Sequence, residues 1–322
     1  METKPLTLTQ LITAFLASRQ GLNRSRHTLD YYRIVLTNFE WYARTNGWPE
    51  PALITKGHLR EFLNYVATET YRWPGASRSA YKPASPATVH HYGRVIKCLF
   101  NWAEEEEYLE PNPAARLRLG SPQYKGVEPY SDDEVRAMLR VCQEDARFRY
   151  RFLGARNLAI ISLLVATGLR LEELSGMRLS HLDPRLRQVQ VVGKGGKLRL
   201  VPITGEARKA LRHYLGLRPP GGDELWKTDD GQPLHRYSIQ IMIQRLKRRA
   251  GVNGGGGPHR FRHYFATRYL EAGGDLNSLR LLLGHATLDM VLRYSKYTAV
   301  TRALSEHDQF SPLDRLYRNG WR

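Results

Sequence analysis

The chain has 322 residues, which is long enough for two domains that each bury a core of their own. It carries 49 Lys and Arg against 31 Asp and Glu, and the formal charge of +18 favours a polyanionic partner, with a generally basic protein as the alternative. Its two cysteines argue against a disulfide framework, and the absence of a signal peptide or a membrane-spanning apolar run predicts a cytoplasmic protein.

The first part of the chain, residues 1–117, is predicted to be a helical domain. Four stretches have helical apolar spacing or a helix cap; they are residues 8–16, about 26–46, about 57–70 after Thr55, and about 85–107, which begins with Ser85 and Pro86. The sequence Pro111-Asn112-Pro113 ends helix formation. Residues 118–129 are therefore predicted to be an extended linker to a second domain.

Residues 130–322 are predicted to form a larger, mostly helical domain with a small sheet. The predicted features are a capping box at Ser131–Glu134, a buried helix over Leu158–Ala166 that Gly168 ends, two short strands over residues 187–203, and helices beyond about residue 236 that are interrupted at Gly254–Gly257 and Gly273–Gly274. The strands alternate around a glycine-rich turn, which is typical of an antiparallel hairpin. The fold class is therefore mainly α with a small antiparallel β-sheet.

Five short motifs follow one another along this second domain, and most of the excess positive charge lies in the same part of the chain. They are Thr167-Gly168-Leu169-Arg170 with Glu173, Gly193-Lys194-Gly195-Gly196-Lys197, His259-Arg260-Phe261-Arg262-His263, Leu282-Leu283-Gly284-His285, and Tyr294 nine residues later. Together they supply cations, imidazoles and one phenol. That combination suits a site that binds a phosphodiester, attacks it with a tyrosine and protonates the departing oxygen.

The first two motifs each offer a cation for phosphate chemistry. Arg170 follows a helix end, and Glu173, one helical turn later, can orient its guanidinium, whose planar fork matches two phosphate oxygens. Lys194 lies in the hairpin turn, from which an ammonium group can give its proton to a leaving alkoxide. In isolation, a surface Arg–Glu pair and a solvated turn remain the alternative interpretations. A P-loop is excluded because Gln188 and Gly195 occupy positions where that motif needs a glycine and a hydroxyl residue.

The third motif places two histidines four residues apart. That spacing can bind zinc on one helix face, but Arg260 follows His259 where a zinc protease motif has glutamate, and the two intervening arginines would repel a dication. Phosphate binding suits His259, Arg262 and His263 better. Pro258, just before them, predicts a helix start with free N–H groups directed at an anion.

The last two motifs are weaker on their own. His285 follows an apolar helix that Gly284 ends, so a helix-cap histidine is the alternative to a catalytic one. Tyr294 is one of 18 tyrosines, and Tyr297 is a competing nucleophile. Neither Tyr294 nor His285 can be assigned a role from its own segment.

In these residues the chain resembles the tyrosine recombinases of the phage-integrase and Xer type. Members of that family show T-G-x-R-x-x-E-L, a lysine in a G-K-G-x-K hairpin, H-x-x-R, L-G-H and a tyrosine nine residues after that last histidine, and all five patterns occur here. Phe261, where leucine is commoner, is a mild departure. The resemblance implies a C-shaped, two-domain DNA clamp, with residues 1–117 as a helical, SAM-like core-binding domain, 118–129 as the linker and 130–322 as the catalytic domain with a C-terminal tail.

Carried over by position, the resemblance implies roles for eight residues. The catalytic set is Arg170, Lys194, His259, Arg262, His285 and the nucleophile Tyr294, while Glu173 and His263 support the site. Tyr297 lacks the family spacing. The implied reaction forms a 3′-phosphotyrosyl bond and frees a 5′-hydroxyl, and the strand is then rejoined to another 5′-hydroxyl. Because bond energy is conserved, neither a metal nor another cofactor is expected.

The resemblance also implies double-stranded DNA with a specific recombination site as the partner, and a homotetramer on that DNA. Residues 298–322 are a candidate for a tail that docks on a neighbouring copy, with packing on the chain's own domain as the alternative. The outcome would be integration, excision or resolution. Two other functions remain as alternatives: a type IB topoisomerase, which uses similar chemistry without choosing a site, and a non-catalytic, sequence-specific DNA-binding protein.

Overall fold

The chain forms two compact units, residues 1–125 and 126–322. The structure is a computed structural model, and the ranges that it describes are 6–22, 25–75, 82–122, 128–193 and 196–285, with the single residues 287 and 292. The predicted fold class, mainly helical with a small antiparallel sheet, is confirmed. Among the helices in these ranges, none combines the length and apolar character that crossing a membrane requires.

The secondary structure of the first unit is helical, with no strand in its described part. Its helices are α1 (Leu8–Gly21), α2 (Arg26–Thr45), α3 (Lys56–Thr68) and α4 (Pro86–Glu105), with a short 3₁₀ turn at Pro51–Leu53. Each of the four α-helices begins after a Ser or Thr whose side chain accepts a hydrogen bond from a backbone N–H in the first turn. Such caps satisfy donors that have no partner within the helix. The predicted caps at Thr55 and Ser85 are therefore confirmed.

The core of the first unit is aromatic. Phe39, Phe62 and Phe100 are completely buried, and they come from three different helices. The ring of Phe39 meets Phe62 with centroids 5.1 Å apart and Phe100 with centroids 6.3 Å apart, both close to edge-on. This geometry suits the charge distribution of aromatic rings. It joins α2, α3 and α4 around one apolar centre.

The second unit contains the remaining helices of the described chain. They are α5 (Asp132–Glu144), α6 (Arg151–Thr167), α7 (Leu171–Ser175), α8 (Gly205–Leu215), α9 (Arg236–Arg249), α10 (His259–Glu271) and α11 (Leu276–Leu283). A π-helical turn at Asp145–Arg149 joins α5 to α6. The capping box at Ser131 is present, with Glu134 bonded back to the Ser131 N–H. Helix α8 begins after Thr204, whose side chain makes no cap hydrogen bond.

A two-stranded antiparallel hairpin, β1 (Gln188–Val192) and β2 (Leu198–Pro202), confirms the predicted strands. Val189 pairs with Val201 on the buried face, where Val191 pairs with Arg199. Leu198 and Leu200 lie on the opposite, exposed face. The inward face of β2 therefore carries an arginine, while its leucines face outward.

Helix α6 lies at the centre of the second unit, packed against α5, α8 and α10. It ends at Gly168, whose φ of +61° is left-handed. A Cβ there would lie 2.6 Å from Phe265 Cδ1 and 2.9 Å from Leu283 Cδ2, so only glycine fits. The chain turns sharply at this point, which buries Leu169 and places Arg170 at the start of the next helix.

Candidate active site

Arg170 is the residue that precedes α7, and Glu173 lies within the first turn of that helix. The Arg170 N–H donates to Glu173 Oε2 at 2.9 Å, and its Nη1 donates to Oε1 at 3.1 Å. These contacts join the two residues as the sequence spacing predicts. The side chain of Arg170 is 31% exposed, whereas that of Glu173 is 4% exposed. The carboxylate is thus a buried support, and the guanidinium is within reach of a ligand.

A second arginine, Arg199 on β2, holds the same carboxylate. Its Nη1 donates to Glu173 Oε1 at 2.7 Å and its Nη2 donates to Oε2 at 2.8 Å, a bidentate pair. Burial would raise the pKa of Glu173, but the hydrogen bonds from Arg199 and from the Arg170 N–H, with both positive charges, outweigh it and lower the pKa. Glu173 is therefore ionised at neutral pH.

The C-terminal end of α11 brings three arginines together. Gly284 ends the helix with a φ of +63°, and the N–H groups of Gly284 and His285 donate to the carbonyls of Leu281 and Arg280. The next two carbonyls, those of Leu282 and Leu283, accept from side chains instead. The three bonds are Arg199 Nε to Leu282 O at 3.1 Å, Arg170 Nη1 to Leu283 O at 3.3 Å and Arg262 Nη2 to Leu283 O at 2.7 Å. Terminal helix carbonyls carry partial negative charge, which favours cations at this position.

Arg262 and His285 are the buried members of this cluster. Arg262, 3% exposed on α10, also donates from Nη1 to Gly168 O at 2.9 Å. Its Nη2 is hydrogen-bonded to His285 Nε2. Because a guanidinium can only donate, Nε2 must accept, and the proton of the neutral imidazole lies on Nδ1.

The charge state of His285 follows from its surroundings. Burial, and then the positive charges of Arg262, Arg170 and Arg199, lower its pKa to about 4. The imidazole is therefore neutral at physiological pH. It therefore adds no further charge to the cluster.

His259 and His263 lie on the first two turns of α10. Loss of hydration, followed by the charges of Arg262 and Arg170, lowers the pKa of His259. Burial, followed by His259 and Arg262, lowers the pKa of His263. Both imidazoles therefore favour the neutral form. His259 also shares a cleft of about 360 Å³ with Arg170, which includes Arg236 on α9.

The start of α10 differs from the sequence prediction. The N–H groups of Arg260 and Phe261 donate to the carbonyls of Gly257 and Pro258 at 3.0 and 3.1 Å. These two donors close a tight first turn, so the predicted row of free N–H groups directed at an anion is wrong for them.

Arg260, between the two histidines, has turned away from the cluster. Its side chain donates to the carbonyls of Glu128 and Pro129 and to the Glu134 carboxylate, and it lies over the ring of Tyr130 at 4.0 Å. It therefore fastens the chain segment before α5 to α10. Within the described residues, no three His, Cys, Asp or Glu side chains come together as a metal site would require.

Arg199 is the residue that the sequence interpretation missed. It stands between two leucines, so its segment looks like an exposed arginine in an apolar strand. The signal lies in the hairpin register, which pairs Arg199 with the buried Val191. A register assigned from the glycine-rich turn would have placed the arginine on the inner face.

Two predicted catalytic residues, Lys194 and Tyr294, lie outside the described residues, as do Tyr297 and the tail 298–322. The residue before Lys194 is described. The Gly193 N–H donates to Lys197 O at 2.7 Å, and a Cβ on Gly193 would lie 4.0 Å from Glu173 Oε1. The strand that leads to Lys194 therefore ends beside the shared carboxylate.

Two family models match the chain, one in each part of it. Residues 130–301 match the phage integrase family, and residues 7–119 match the phage integrase SAM-like domain. The chain therefore belongs to the phage integrase family.

Two relatives narrow the class further. The chain is 30% identical over 320 residues to tyrosine recombinase XerC 2 of Ralstonia nicotianae, which covers 97% of this chain and 88% of the relative. It is 32% identical over 296 residues to XerC of Xanthomonas campestris pv. campestris, covering 91% and 82%. The protein is thus a tyrosine recombinase of Xer type, an enzyme of site-specific DNA cleavage and religation, and nothing supports a topoisomerase or a non-catalytic DNA-binding protein.

Solved structures share the fold. XerH recombinase bound to its palindromic difH substrate superposes with a TM-score of 0.69 at 21% identity, covering 94% of this chain and 84% of that one. A lambda integrase tetramer bound to a Holliday junction gives 0.69 at 18% identity, covering 90% and 78%. At these identities the likeness concerns the fold.

Proposed function

We propose that Arg170, Arg262 and His285 bind the scissile phosphate of DNA, and that Lys194, His259 and Tyr294 complete the catalytic site. The observation that carries this proposal is the convergence of Arg170 and Arg262 on one carbonyl, that of Leu283, beside a neutral histidine. Two guanidinium groups held side by side match the two non-bridging oxygens of a phosphodiester.

The chemical step begins with attack of the Tyr294 phenol on phosphorus. A bond forms between the phenolic oxygen and phosphorus, and the bond from phosphorus to the 5′-oxygen breaks. Lys194 gives a proton to that departing oxygen, and neutral His259 accepts the proton of the phenol, whose ordinary pKa near 10 otherwise makes it a poor nucleophile. The product is a 3′-phosphotyrosyl bond and a free 5′-hydroxyl. Attack by another 5′-hydroxyl reverses these steps and rejoins the strand.

The described residues stabilise charge that develops during this step. Negative charge grows on the non-bridging oxygens as phosphorus becomes five-coordinate. Preorganised donors to such oxygens are worth about 3–4 kcal/mol each in a transition state. Arg170 and Arg262 are preorganised because Glu173, Gly168 O and Leu283 O already fix their guanidinium groups.

Covalent trapping tests the assignment. Wild type, Tyr294→Phe and Tyr297→Phe are incubated in EDTA with nicked duplexes that include DNA flanking the gene, and adducts are resolved on a denaturing gel. We expect adducts with wild type and with Tyr297→Phe, and binding without an adduct for Tyr294→Phe. An adduct in Tyr294→Phe, or cleavage that requires Mg²⁺, would refute the assignment.

A second arm tests the phosphate-binding role. With an ordinary phosphodiester, Arg170→Ala should slow cleavage by roughly 100- to 1,000-fold. A methylphosphonate at the scissile position replaces one charged oxygen by a methyl group, so the variant should lose much less on that substrate. Equal losses on the two substrates would contradict the role of Arg170.

We further propose that the active form is a homotetramer on two DNA sites, in the cytoplasm. The fold shared with the lambda integrase tetramer on a Holliday junction and the two thiols outside any disulfide, Cys98 and Cys142, support these proposals. Residues 298–322 are proposed to dock on a neighbouring copy. Deletion of residues 304–322 should then reduce tetramers measured by sedimentation with DNA, while binding to one site persists. Undiminished tetramers would disprove the docking role.

A further inference from the structure

We propose that Arg199 is a positioning residue, which holds Arg170 in place through Glu173. The inference rests on the proposed function, because it concerns the same phosphate site. Arg199 contacts the end of α11 and the start of α7 from the hairpin that carries Lys194. It thereby connects three of the chain's motifs.

The contacts of Arg199 hold its guanidinium in one orientation. Nη1 and Nη2 grip both oxygens of Glu173, and Nε donates to Leu282 O. The side chain is only 15% exposed. Glu173 in turn bonds to the backbone and side chain of Arg170. A displacement of Arg199 is therefore passed to Arg170 through one shared carboxylate.

Gly284 leaves the space that this guanidinium occupies, and Gly193 lies within ordinary contact distance of it. A Cβ on Gly284 would lie 2.9 Å from Arg199 Nη1 and 3.0 Å from its Cζ. A Cβ on Gly193 would lie 3.5 Å from the same Nη1. Gly284 directly precedes His285, and Gly193 directly precedes Lys194. Arg199 therefore lies against the residue before His285 and near the residue before Lys194.

Lysine cannot replace arginine in this arrangement. A planar guanidinium reaches two carboxylate oxygens and a carbonyl at once, whereas an ammonium on a flexible stem is a point charge. Arg199→Lys keeps the positive charge, but it loses the simultaneous hydrogen bonds to both Glu173 oxygens and to Leu282 O. Small displacements of groups that orient a reacting phosphate can slow a reaction by about 100-fold.

Single-turnover cleavage of a nicked duplex at saturating protein tests the proposal. We expect Arg199→Lys to lower the cleavage rate by roughly 10- to 100-fold while DNA affinity stays within about twofold. Arg187→Lys, the same change at an exposed arginine next to the same hairpin, is the matched control and should cleave like wild type. Arg199→Ala is made in parallel, and thermal unfolding shows whether each variant is folded.

A double variant separates positioning from a purely structural role. If Arg199 acts through Arg170, then Arg199→Lys should cost less than about threefold when Arg170 is already alanine. If Arg199→Lys instead caused a general structural defect, the cleavage rate of the double variant would fall by the product of the two single-variant losses. A substrate with sulfur as the bridging 5′ atom has a leaving group that needs no proton; it should rescue Lys194→Ala but not Arg199→Lys.

The outcomes also separate this inference from the proposed function. If Arg199→Lys cleaves like wild type, or if its loss multiplies with that of Arg170→Ala, the positioning role is wrong and the phosphate site stands. If Arg170→Ala itself cleaves like wild type, the proposed function fails as well. A rate loss in Arg199→Lys that disappears in the Arg170→Ala background supports the inference.

Discussion

Replacement of Gly168 by alanine should destabilise the second unit by about 2–5 kcal/mol, which is the sum of two terms worked from the structure. The left-handed φ of +61° costs a residue with a Cβ about 1–2 kcal/mol. The added carbon would also lie 2.6 Å from the Phe265 ring and 2.9 Å from Leu283, both in the packing around α10 and α11. Overpacking of this kind costs about 1–3 kcal/mol.

Two further glycines isolate those terms. Gly273 has a φ of +86° with nothing within 4 Å of an added Cβ, so Gly273→Ala should show the backbone cost alone. Gly205, at the first position of α8, has neither an unusual φ nor a close neighbour, and alanine there should be neutral or stabilising by up to about 1 kcal/mol. Urea unfolding of the full-length variants, followed by circular dichroism, measures all three. If Gly168→Ala lost no more than Gly273→Ala, the packing argument would be wrong.

Two other predictions concern buried charge. Because the pKa of His285 falls from 6.5 to about 4 on folding, the unfolded chain takes up a proton first as the pH drops. His285 should therefore contribute a fall in stability of about 1.4 kcal/mol per pH unit below pH 6.5, and His285→Gln should reduce the slope by that amount when unfolding free energies are compared from pH 7 to 5. The slope that remains comes from groups such as His259 and His263, whose pKa values are also lowered. The second change, Asp145→Asn, breaks a bidentate pair with Arg249 at 2.6 and 2.7 Å in which the carboxylate is buried. Because Arg249 is half exposed and can be solvated, the change should cost about 2 kcal/mol in urea unfolding, from the lost charged hydrogen bonds to a buried carboxylate. Asp133→Asn in its exposed pair with Arg136 should cost less than about 0.5 kcal/mol.

The features that the sequence predicted best are those decided by a few neighbouring residues. A hydroxyl at Ser85 or Ser131 caps a helix because the N–H that it bonds is three residues away. Gly168 and Gly284 end helices because only glycine adopts a left-handed φ without strain. These signals survive in any tertiary context, and so the boundaries near them were predictable.

The features that the sequence did not reveal depend on contacts between distant segments. Alternation along β2 predicts a strand, but the side that faces the core is set by α7 and α11, which Arg199 contacts. Arg260 and Arg262 are two residues apart in one motif, yet Arg260 bonds the segment before α5 while Arg262 bonds Gly168 and Leu283. The H-x-x-R pattern selects Arg262 by its position, but only the packing of α10 shows what each guanidinium contacts.

The charge balance of the cluster agrees with the proposed chemistry. Arg170, Arg199 and Arg262 carry three positive charges, Glu173 carries one negative charge and His285 is neutral. The net charge of the cluster is therefore +2. Burial lowers the pKa values of His259 and His285 most, and the positive charges of the neighbouring arginines lower them further. A phosphodiester has one negative charge, and attack by a tyrosinate oxygen makes the five-coordinate species doubly negative. The net charge of +2 on the cluster therefore matches the doubly negative transition state better than the singly negative ground state, even without the charge of Lys194. Stronger binding of the transition state than of the ground state is the condition for accelerating a reaction rather than only binding DNA.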